Sequence, residues 1–480
     1  MRVVSIVLWL LIGLPVASLL AQESDRYRNE QDFLTPEFYK ARREALRQLI
    51  PEGSCAVLLS APVRNRSNDV DYPYHQSPDF YYLSGWTEPN SVLVVFKEAQ
   101  RFNKGEVKDI LLVPPRDPAK ERWNGRRGGK TAARRISGAD WVLTTESWDT
   151  LQLPFESLTK VLQLRLEDPR IAGNQDPLEY DGLLRSYRKK VDSASVSPDD
   201  FLLKRALTTM RMVKHPDELA LLQRAVDISV SGHLEMMKAL EPGMTEYQVE
   251  AVGEYVFHAL GAEAVGYPSI CGGGENSTVL HYTDNRRPLG AGDLILLDMG
   301  AEYHGYTADI TRTLPVTGKY TPEQLAIYNL VLEARDSGIA ACQPGNPFQA
   351  PNAAARRVIS RGLQDLGIIQ SADELKTYFM HGTSHYLGLD VHDAGNYGPL
   401  APGNVITVEP GIYIAADSPC DRKWWGIGIR IEDDILITTT GHQNLSEKLP
   451  VKPEEIEKAM KQPAILNTSA LKNEKKALIR

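Results

Sequence analysis

Four carboxylates lie at the ends of, or inside, apolar segments that otherwise have the composition of buried β-strands. They are Asp298 in LILLD, Asp309 in YTADIT, Glu409 in VITVE and Glu432 in GIGIRIE. An ionised carboxylate that leaves water must be paired with a cation, bound to a metal ion or neutralised by a proton. One such residue would indicate only a salt-bridged strand end. Arg312 and Arg430 are the only lysine or arginine residues within these segments, so we predict a metal site where the segments converge.

A β-hairpin would bring two of these carboxylates together. If His304 and Gly305 form its turn, Gly300 lies opposite Asp309 on the neighbouring strand. Asp298 is then a diagonal neighbour on the same face, because side chains alternate along a strand with a period of two residues. Both carboxylates can therefore reach one site.

Three of the ten histidines in the chain lie within the segment FMHGTSHYLGLDVHD. They are His381, His385 and His392. Their spacing is not that of the H-E-x-x-H helix of zinc peptidases, and Gly382 and Gly388 argue against one regular helix. Close to buried carboxylates, such a cluster indicates a metal ligand and further polar groups of an active site.

The predicted ligands suit two divalent ions. Four carboxylates and one imidazole, without thiolates, favour ions such as Mn²⁺ over a structural zinc ion. Two such ions bind a bridging water and lower its pKa, which leads to hydrolysis of an amide. Arg430 and Glu432 share one strand face, so we expect the guanidinium to orient this carboxylate.

The chain divides into two regions of different pattern, as its length of 480 residues favours. Residues 34–200 alternate short β-rich runs (CAVLLSA, FYYLSGW, SVLVVF, DILLVPP, KVLQLRL) with polar stretches, which predicts an α/β domain. Residues 205–460 combine helical periodicity with glycine-separated strands of antiparallel type, which predicts an α+β domain. The helices of this second domain are expected at about 216–239, 245–260, 322–342 and 347–367.

The two ends of the chain differ from the rest. Residues 1–21 contain one early charge, Arg2, followed by an apolar run and small residues, which is typical of a secretory signal peptide cleaved near Ser18 or Ala21. The alternative is an uncleaved anchor, because about 18 apolar residues just span a bilayer. Cleavage would give a secreted or periplasmic protein with no stable membrane span. Residues 463–480 are polar and form a predicted C-terminal tail.

Charge and cysteine content argue against a nucleic-acid-binding protein and against a fold held by cysteine-bound metal or by many disulfides. A net charge of −8 gives no electrostatic basis for binding nucleic acid. The four cysteines have no metal-type spacing, and a chain of this size does not need disulfides to hold its fold. We expect them to be free and mostly buried, and a single disulfide stays open as an alternative.

The contexts LLDMG, TADITRT, HGTSHYLGLDVHD, TVEPGIY and GIRIEDD resemble those of the pita-bread metallopeptidases, a family that includes aminopeptidase P, prolidase, methionine aminopeptidase and creatinase. The stretch RNRSNDVDYPYHQSPDFYYLSGWTEPNSVLVV is similar to aminopeptidase P in particular. The resemblance implies a creatinase-like α/β N-terminal domain, an α+β pita-bread catalytic domain and a homo-oligomer, either a dimer or a tetramer. It also implies release of the N-terminal residue from Xaa-Pro-Yaa peptides by a hydroxide that bridges two metal ions, Mn²⁺ first, with Co²⁺ and Zn²⁺ as alternatives.

The resemblance implies a role for each matched residue. The metal ligands would be Asp298, Asp309, His385, Glu409 and Glu432, with Asp309 and Glu432 bridging both ions and Glu409 also acting as general base. His281 would assist proton transfer, His392 would stabilise the tetrahedral intermediate and His381 would line the proline pocket. Further contacts are implied for Arg430 beside the carboxylates and for Tyr267 and Tyr413 in the pocket. Asp69 and Trp123 resemble residues that reach the active site of a neighbouring subunit.

Two other functions stay open at this point. A prolidase, which cleaves only Xaa-Pro dipeptides, would use the same metal centre. A pita-bread binding module without catalysis usually lacks several ligands, whereas this chain has them all. A metal-free hydrolase of the creatinase type is disfavoured for the same reason.

Overall fold

The computed structural model describes residues 32–103, 105–166 and 176–466. The predicted leader, residues 1–21, and residues 467–480 of the predicted tail lie outside the described residues. The chain forms two compact units that divide between Ala206 and Leu207. Within the described ranges, no helix has both the length and the apolar character needed to cross a membrane.

The first unit is built around one mixed β-sheet. Its strands are β1 (Ser54–Leu59), β2 (Asn65–Ser67), β3 (Val70–Asp71), β4 (Val92–Phe102), β5 (Gly105–Val113), β6 (Trp141–Thr144), β7 (Lys160–Gln163) and β8 (Pro198–Asp199). Six of them form a sheet in the order β6-β5-β4-β1-β7-β8, while β2 and β3 form a small exposed hairpin. The β1–β4 and β4–β5 pairs are antiparallel, and the remaining pairs of the sheet are parallel.

Helices accompany this sheet, as the predicted α/β pattern requires. They are α1 (Pro36–Leu49), α2 (Pro78–Ser84), α3 (Pro118–Asn124), α4 (Gly129–Ser137), α5 (Tyr180–Ser193) and α6 (Asp200–Arg211), the last of which runs across the division between the units. Apolar side chains of β1, β4, β5 and β7 pack with Trp148, Phe155 and Tyr187 to form the core.

One predicted strand of the first unit is in fact a helix. The run FYYLSGW belongs mostly to α2, although its aromatic residues favour strands. Ser77 caps the helix by accepting a hydrogen bond from the Phe80 backbone N–H, and Pro78 stands in the first turn. Gly85 ends the helix in the left-handed conformation, with φ of 65°. The start and stop signals therefore outweigh the composition of the run, and the strand prediction was wrong.

The second unit combines helices with small sheets. Its helices are α7 (Pro216–Ala239), α8 (Glu246–Ala259), α9 (Pro322–Ala340), α10 (Ala350–Asp365) and α11 (Pro453–Ala459). Four of them lie where the sequence predicts them. Capping boxes at Thr245 and Thr321 explain the starts of α8 and α9, because the side-chain oxygen of the glutamine three residues on accepts a hydrogen bond from the backbone N–H of the cap residue.

The strands of the second unit pair only in antiparallel fashion within the described residues. They are β9 (Ala264–Val265), β10 (Ile270–Gly273), β11 (Leu294–Asp298), β12 (Ala301–Tyr303), β13 (Tyr306–Thr307), β14 (Thr311–Pro315), β15 (Val405–Val408), β16 (Gly411–Ile414), β17 (Ile427–Arg430), β18 (Asp433–Ile437) and β19 (His442–Asn444). They form the sheets β10-β11-β14, β13-β12-β9, β15-β18-β19 and β16-β17. This arrangement confirms the predicted α+β class.

The predicted hairpin is present with the expected register. His304 and Gly305 form its turn with φ of 49° and 84°, the positive values that a tight hairpin turn requires. Tyr303 pairs with Tyr306 next to the turn, and Asp298 pairs with Thr311 further along. The same register places Gly300 opposite Asp309.

The cysteines agree with the prediction. Cys55, Cys271, Cys342 and Cys420 are all free, and the first three are buried. No disulfide joins any two of them.

Candidate metal centre

The five predicted metal ligands end or follow short elements around one cleft. Asp298 is the last residue of β11, Asp309 lies between β13 and β14, Glu409 follows β15 and Glu432 follows β17. His385 lies in the segment between α10 and β15. All five line an open cavity of about 600 Å³, a volume suited to a small peptide. The structure therefore brings together side chains from five separate stretches of the chain.

His385 is the centre of this group. One ligand atom from each of His385, Asp309 and Glu432 lies within 4.8 Å of the other two. His385 Nε2 is 3.4 Å from Asp309 Oδ2 and 3.6 Å from Glu409 Oε1. His385 Nδ1 is 3.1 Å from the Tyr386 carbonyl oxygen. Donation from Nδ1 to that carbonyl leaves the lone pair on Nε2, the tautomer that can bind a metal ion.

Tyr267 joins the two carboxylates of the hairpin. Its hydroxyl is 2.7 Å from Asp298 Oδ1 and 2.6 Å from Asp309 Oδ1. Because a hydroxyl has one proton, it donates to one carboxylate at a time. Burial, together with the charges of Asp298 and Asp309, raises the pKa of Tyr267, so the hydroxyl stays protonated. Asp298 and Asp309 thus face the same point, as the register predicts.

The cluster holds more negative charge than its cations neutralise. Burial raises the pKa of Glu432 well above its usual value, raises that of Asp298, and raises that of Glu409 to about 7. Burial also opposes ionisation of Asp309, but the hydrogen bond and charge of His385 lower its pKa. In return, the pKa of His385 is raised to about 9 by Asp309 and Glu409, although burial acts against its charged form. Three of the four carboxylates therefore remain electrostatically costly in their ionised form.

These residues fit a site for divalent cations. Their donor atoms are carboxylate oxygens and one imidazole nitrogen, which suit hard or borderline ions. A divalent cation would supply the positive charge that the cluster lacks.

Arg430 contacts a different carboxylate from the one predicted. Its Nη2 donates to Asp298 Oδ2 rather than to Glu432. Glu432 Oε2 instead accepts a hydrogen bond of 2.6 Å from Thr311 Oγ1, and Arg430 Nε lies 3.2 Å from the same hydroxyl. Sharing a strand face does not decide which carboxylate a long side chain reaches, because Arg430 extends across to the end of β11. Arg430 is thus a partner of the carboxylates, as predicted, but its direct contact is with Asp298 and it reaches Glu432 through the Thr311 hydroxyl.

Arg430 also begins a directed chain of hydrogen bonds. Its Nη1 donates to Tyr413 Oη at 3.0 Å, and Tyr413 Oη lies 2.8 Å from His381 Nε2. His381 Nδ1 is 2.7 Å from the Gly382 carbonyl oxygen, so Nδ1 carries the proton and Nε2 accepts from the tyrosine. Burial and the charge of Arg430 lower the pKa of His381 to about 4. His381 is therefore a neutral imidazole held in place by Tyr413.

The other two predicted histidines line the same cavity. The rings of His392 and His385 meet edge to face, with centroids 4.4 Å apart. Burial and the charge of His385 lower the pKa of His392, which favours its neutral form. His281 is exposed and lines the cavity together with Leu280 and Thr283.

Asp69 and Trp123 lie in the first unit. Asp69 is exposed between β2 and β3, and the Trp123 side chain on α3 is 89 % exposed. Their roles toward a neighbouring subunit stay predictions.

Two threonines were missed at the sequence level. Thr311 Oγ1 donates to Glu432, and Thr407 Oγ1 accepts a hydrogen bond of 3.1 Å from the His385 backbone N–H. Each lies two residues from a predicted ligand along the chain, Thr311 from Asp309 and Thr407 from Glu409. The period of two that singled out Arg430 would have singled them out as well.

Both units match known protein families. Residues 220–439 match metallopeptidase family M24, and residues 39–158 match the aminopeptidase P N-terminal domain. The Xaa-Pro aminopeptidase of Escherichia coli is 39 % identical over 441 residues, which cover 88 % of this chain and 97 % of that protein. Human Xaa-Pro aminopeptidase 3 is 32 % identical over 444 residues, which cover 88 % of this chain and 86 % of that protein.

Solved structures show the same similarity in three dimensions. Escherichia coli aminopeptidase P with the inhibitor Pro-Leu is 38 % identical, with a TM-score of 0.80 over 89 % of this chain and 98 % of that one. Pseudomonas aeruginosa aminopeptidase PepP is 34 % identical, with a TM-score of 0.81 over 90 % of this chain and 99 % of that one.

Proposed function

Because the chain belongs to metallopeptidase family M24, and within it to the aminopeptidase P group, we propose that the residues of its cleft divide the steps of proline-directed peptide hydrolysis among them. The chain is a metal-dependent exopeptidase that releases the N-terminal residue from peptides with proline at the second position. Its fold is an aminopeptidase P type N-terminal domain followed by a pita-bread catalytic domain. The similarities support this activity over the prolidase and the binding-module alternatives.

The convergence of the five ligand side chains on one cleft carries the proposed roles. Asp298 would bind one ion, Asp309 and Glu432 would bind both, and His385 and Glu409 would complete the other. We favour Mn²⁺, with Co²⁺ and Zn²⁺ as substitutes, and Escherichia coli aminopeptidase P has been solved in a zinc-substituted form. When bound, such ions act as Lewis acids that activate water and stabilise developing negative charge.

Glu409 is the proposed general base. Its Oε1 lies 3.6 Å from His385 Nε2 and its Oε2 lies 3.7 Å from His381 Nδ1, so the carboxylate is held between two imidazoles in the wall of the cleft. A carboxylate in this position can take a proton from the attacking water and pass it on toward the leaving amine.

The histidines that line the cleft would stabilise the intermediate, transfer protons and bind the proline ring. His392 would donate to the carbonyl oxygen as it becomes negative. His281 would assist proton transfer at the N-terminal side of the substrate. His381 is held by Tyr413 as a neutral imidazole and would form part of the proline pocket.

Metal removal and restoration test this proposal. We expect the stripped protein to lose activity on an Arg-Pro-Pro tripeptide, and Mn²⁺ to restore more of it than Co²⁺ or Zn²⁺. Initial rates and metal content measure both effects. A Gly-Pro dipeptide serves as the comparison substrate, and its preferential cleavage would favour a prolidase. Full activity of the stripped protein would contradict the proposed ligands.

We propose that the protein is exported from the cytoplasm by means of its N-terminal leader. Residues 1–21 support cleavage near Ser18 or Ala21 and a secreted or periplasmic mature protein. N-terminal sequencing of the protein recovered from cell fractions tests this proposal. Retention of Met1 in a cytoplasmic fraction would contradict it.

A homo-oligomer, dimer or tetramer, is proposed on the exposure of Asp69 and Trp123. If Asp69 completes a neighbouring site, mixing Asp69→Ala with Glu409→Gln subunits should restore activity that each variant lacks alone. Light scattering gives the subunit number of the same samples. A fully active monomer would contradict the proposal.

A further inference from the structure

One loop of the second unit presents His281 to the cleft. This loop, residues 273–287, begins at the last residue of β10 with the glycine-rich sequence GGEN. Leu280, His281 and Thr283 of the loop line the cavity that contains the metal ligands. Most of the loop lies outside regular strands and longer helices, so contacts from other elements must hold it.

Glu246, the first residue of α8, makes four of these contacts with one carboxylate. Its Oε1 accepts hydrogen bonds from the Gly273 backbone N–H at 2.7 Å and from Asn276 Nδ2 at 3.0 Å. Its Oε2 accepts from Tyr282 Oη at 2.8 Å and from the Arg287 backbone N–H at 2.7 Å. The first and last residues of the loop thus donate to the two oxygens of one side chain.

The surroundings of Glu246 suit a carboxylate in this role. The residue is fully buried, and its charge lies at the N-terminus of α8, where a negative charge is favourable. Four donors satisfy its oxygens, so burial does not leave a polar atom without a partner. Gly273 allows the close approach, because a Cβ there would lie 3.1 Å from Glu246 Oε1 and 2.3 Å from a Leu289 methyl carbon.

The far side of the loop contacts the strand that carries Arg430. Ser277 Oγ accepts from the Gly428 backbone N–H at 3.0 Å, and Arg430 Nη2 lies 3.5 Å from the Leu280 carbonyl oxygen. The loop is therefore fixed on one side by Glu246 and on the other by β17, with His281 between the two attachments.

We propose that Glu246 is a positioning residue, which closes loop 273–287 and thereby holds His281 at the substrate cleft. This inference rests on the proposed role of His281 for its effect on catalysis, but the closing of the loop can be measured separately.

Backbone hydrogen exchange tests whether Glu246 closes the loop. Glu246→Gln keeps the shape of the side chain but replaces one acceptor oxygen by an NH₂ group, which donates and does not accept, so two of the four donors lose their acceptor. We expect amides of residues 273–287 to exchange about tenfold faster or more, since each lost bond weakens local stability. Tyr282→Phe removes one of the four donors and should give a smaller increase.

Glu218→Gln is the matched control. Glu218 is also a buried carboxylate in the first turn of a helix, and it accepts from a backbone N–H and from the Tyr306 hydroxyl. Exchange within residues 273–287 should stay at the wild-type rate in this variant. Unchanged loop exchange in Glu246→Gln, or in Tyr282→Phe if the first variant does not fold, would overturn the proposal.

A double-mutant cycle with His281→Ala tests how Glu246 acts. We expect Glu246→Gln to lower kcat/KM about tenfold at unchanged metal content, and to have little further effect when His281 is already alanine. Effects that multiply would overturn the claim that Glu246 acts through His281. If His281→Ala alone leaves kcat/KM at the wild-type value, the proposed role of His281 fails, and the exchange rates still decide whether Glu246 closes the loop.

Discussion

At the scale of single residues, the cleft is a place where several carboxylates share one low-dielectric region. Burial raises the pKa of Asp298, Glu409 and Glu432. At Asp309 burial acts in the same direction, but His385, Tyr267 and Arg430 together lower the pKa. Burying such ionised groups destabilises a fold unless a bound cation offsets their charge. The residues that surround them, Arg430 and Tyr267, hold the carboxylates in orientation but do not neutralise them all.

Glu409→Gln should abolish most of the activity. The amide keeps the size of the side chain but cannot take a proton, so we expect kcat to fall by about 10²–10⁴. Steady-state kinetics on a Xaa-Pro-Yaa peptide measure the loss, and metal analysis shows how much ligand loss contributes. A kcat within twofold of wild type would remove Glu409 from its role as base.

Tyr413→Phe should weaken catalysis less. It removes the hydroxyl that accepts from Arg430 and donates to His381, so the His381 ring loses its orientation. One lost hydrogen bond corresponds to a fall of roughly tenfold or less in kcat/KM. The variant should keep its metal, because Tyr413 contacts no proposed ligand directly in these hydrogen bonds. If the Tyr413→Phe variant instead loses its bound metal, the fall in kcat/KM does not come from a misplaced His381 ring and this explanation is wrong.

The convergence of the proposed ligands on one cleft could be predicted from the sequence, because charge inside apolar strands is rare and costly. The partners of those ligands could not be, since contacts such as that of Arg430 with Asp298 join different strands. Glu246 gave no signal, because a glutamate at the start of a helix usually faces water. Its burial depends on a loop that begins 27 residues later in the chain.

At the scale of elements, the site is formed by the ends of strands and by the segments between them. The segment after His385 is tied to the end of α6 and the residues that follow it. Asp393 Oδ1 accepts from Arg211 Nη2, and Asp393 Oδ2 accepts from Lys214 Nζ at 2.9 Å. The neighbouring residue, His392, is thereby attached to the part of the second unit that carries Arg211 and Lys214.

Asp393→Asn should destabilise the second unit strongly. Two buried cations would lose their shared carboxylate, and breaking a buried ion pair costs about 3–5 kcal/mol. Denaturant unfolding at pH 7 measures the change in the free energy of unfolding. Asp390→Asn, an exposed change in the same segment, is the control and should have little effect.

The same contact should depend on pH. Burial opposes ionisation of Asp393, but the charges of Lys214 and Arg211 lower its pKa below the usual value. A carboxylate with a lowered pKa binds fewer protons when folded, so its stabilising effect is full above its unfolded pKa of about 4 and is lost as the pH falls toward the folded value. The stability difference between wild type and Asp393→Asn should therefore shrink below about pH 4. A difference that stays constant down to pH 3 would speak against an ionic contact.

Most helices and strands of the second unit could be predicted because their apolar periods are long and their caps are clear. The α2 segment could not, because FYYLSGW is short and aromatic. There the helix is determined by its caps, Ser77 before the run and Gly85 within it.

At the scale of the whole molecule, the chain separates a unit with a mixed sheet from a unit that holds the proposed metal ligands. Because a ligand stabilises the state that binds it, metal should stabilise the second unit first. On chelation we expect faster amide exchange in residues 294–315 and 405–432, and little change in β1, β4 and β5. Equal loss of protection in both units would contradict this expectation.

The hairpin and the ligands that follow it extend from Asp298 to Glu432 along the chain. A nascent polypeptide folds from its N-terminal side as it leaves the ribosome. The first unit can therefore acquire its sheet while the later proposed ligands are still being translated, and the proposed set of five is complete only after Glu432 has emerged. A chain truncated before Glu432 would have a folded first unit but no peptidase activity. The order of translation therefore delays the appearance of that activity until the second unit is nearly complete.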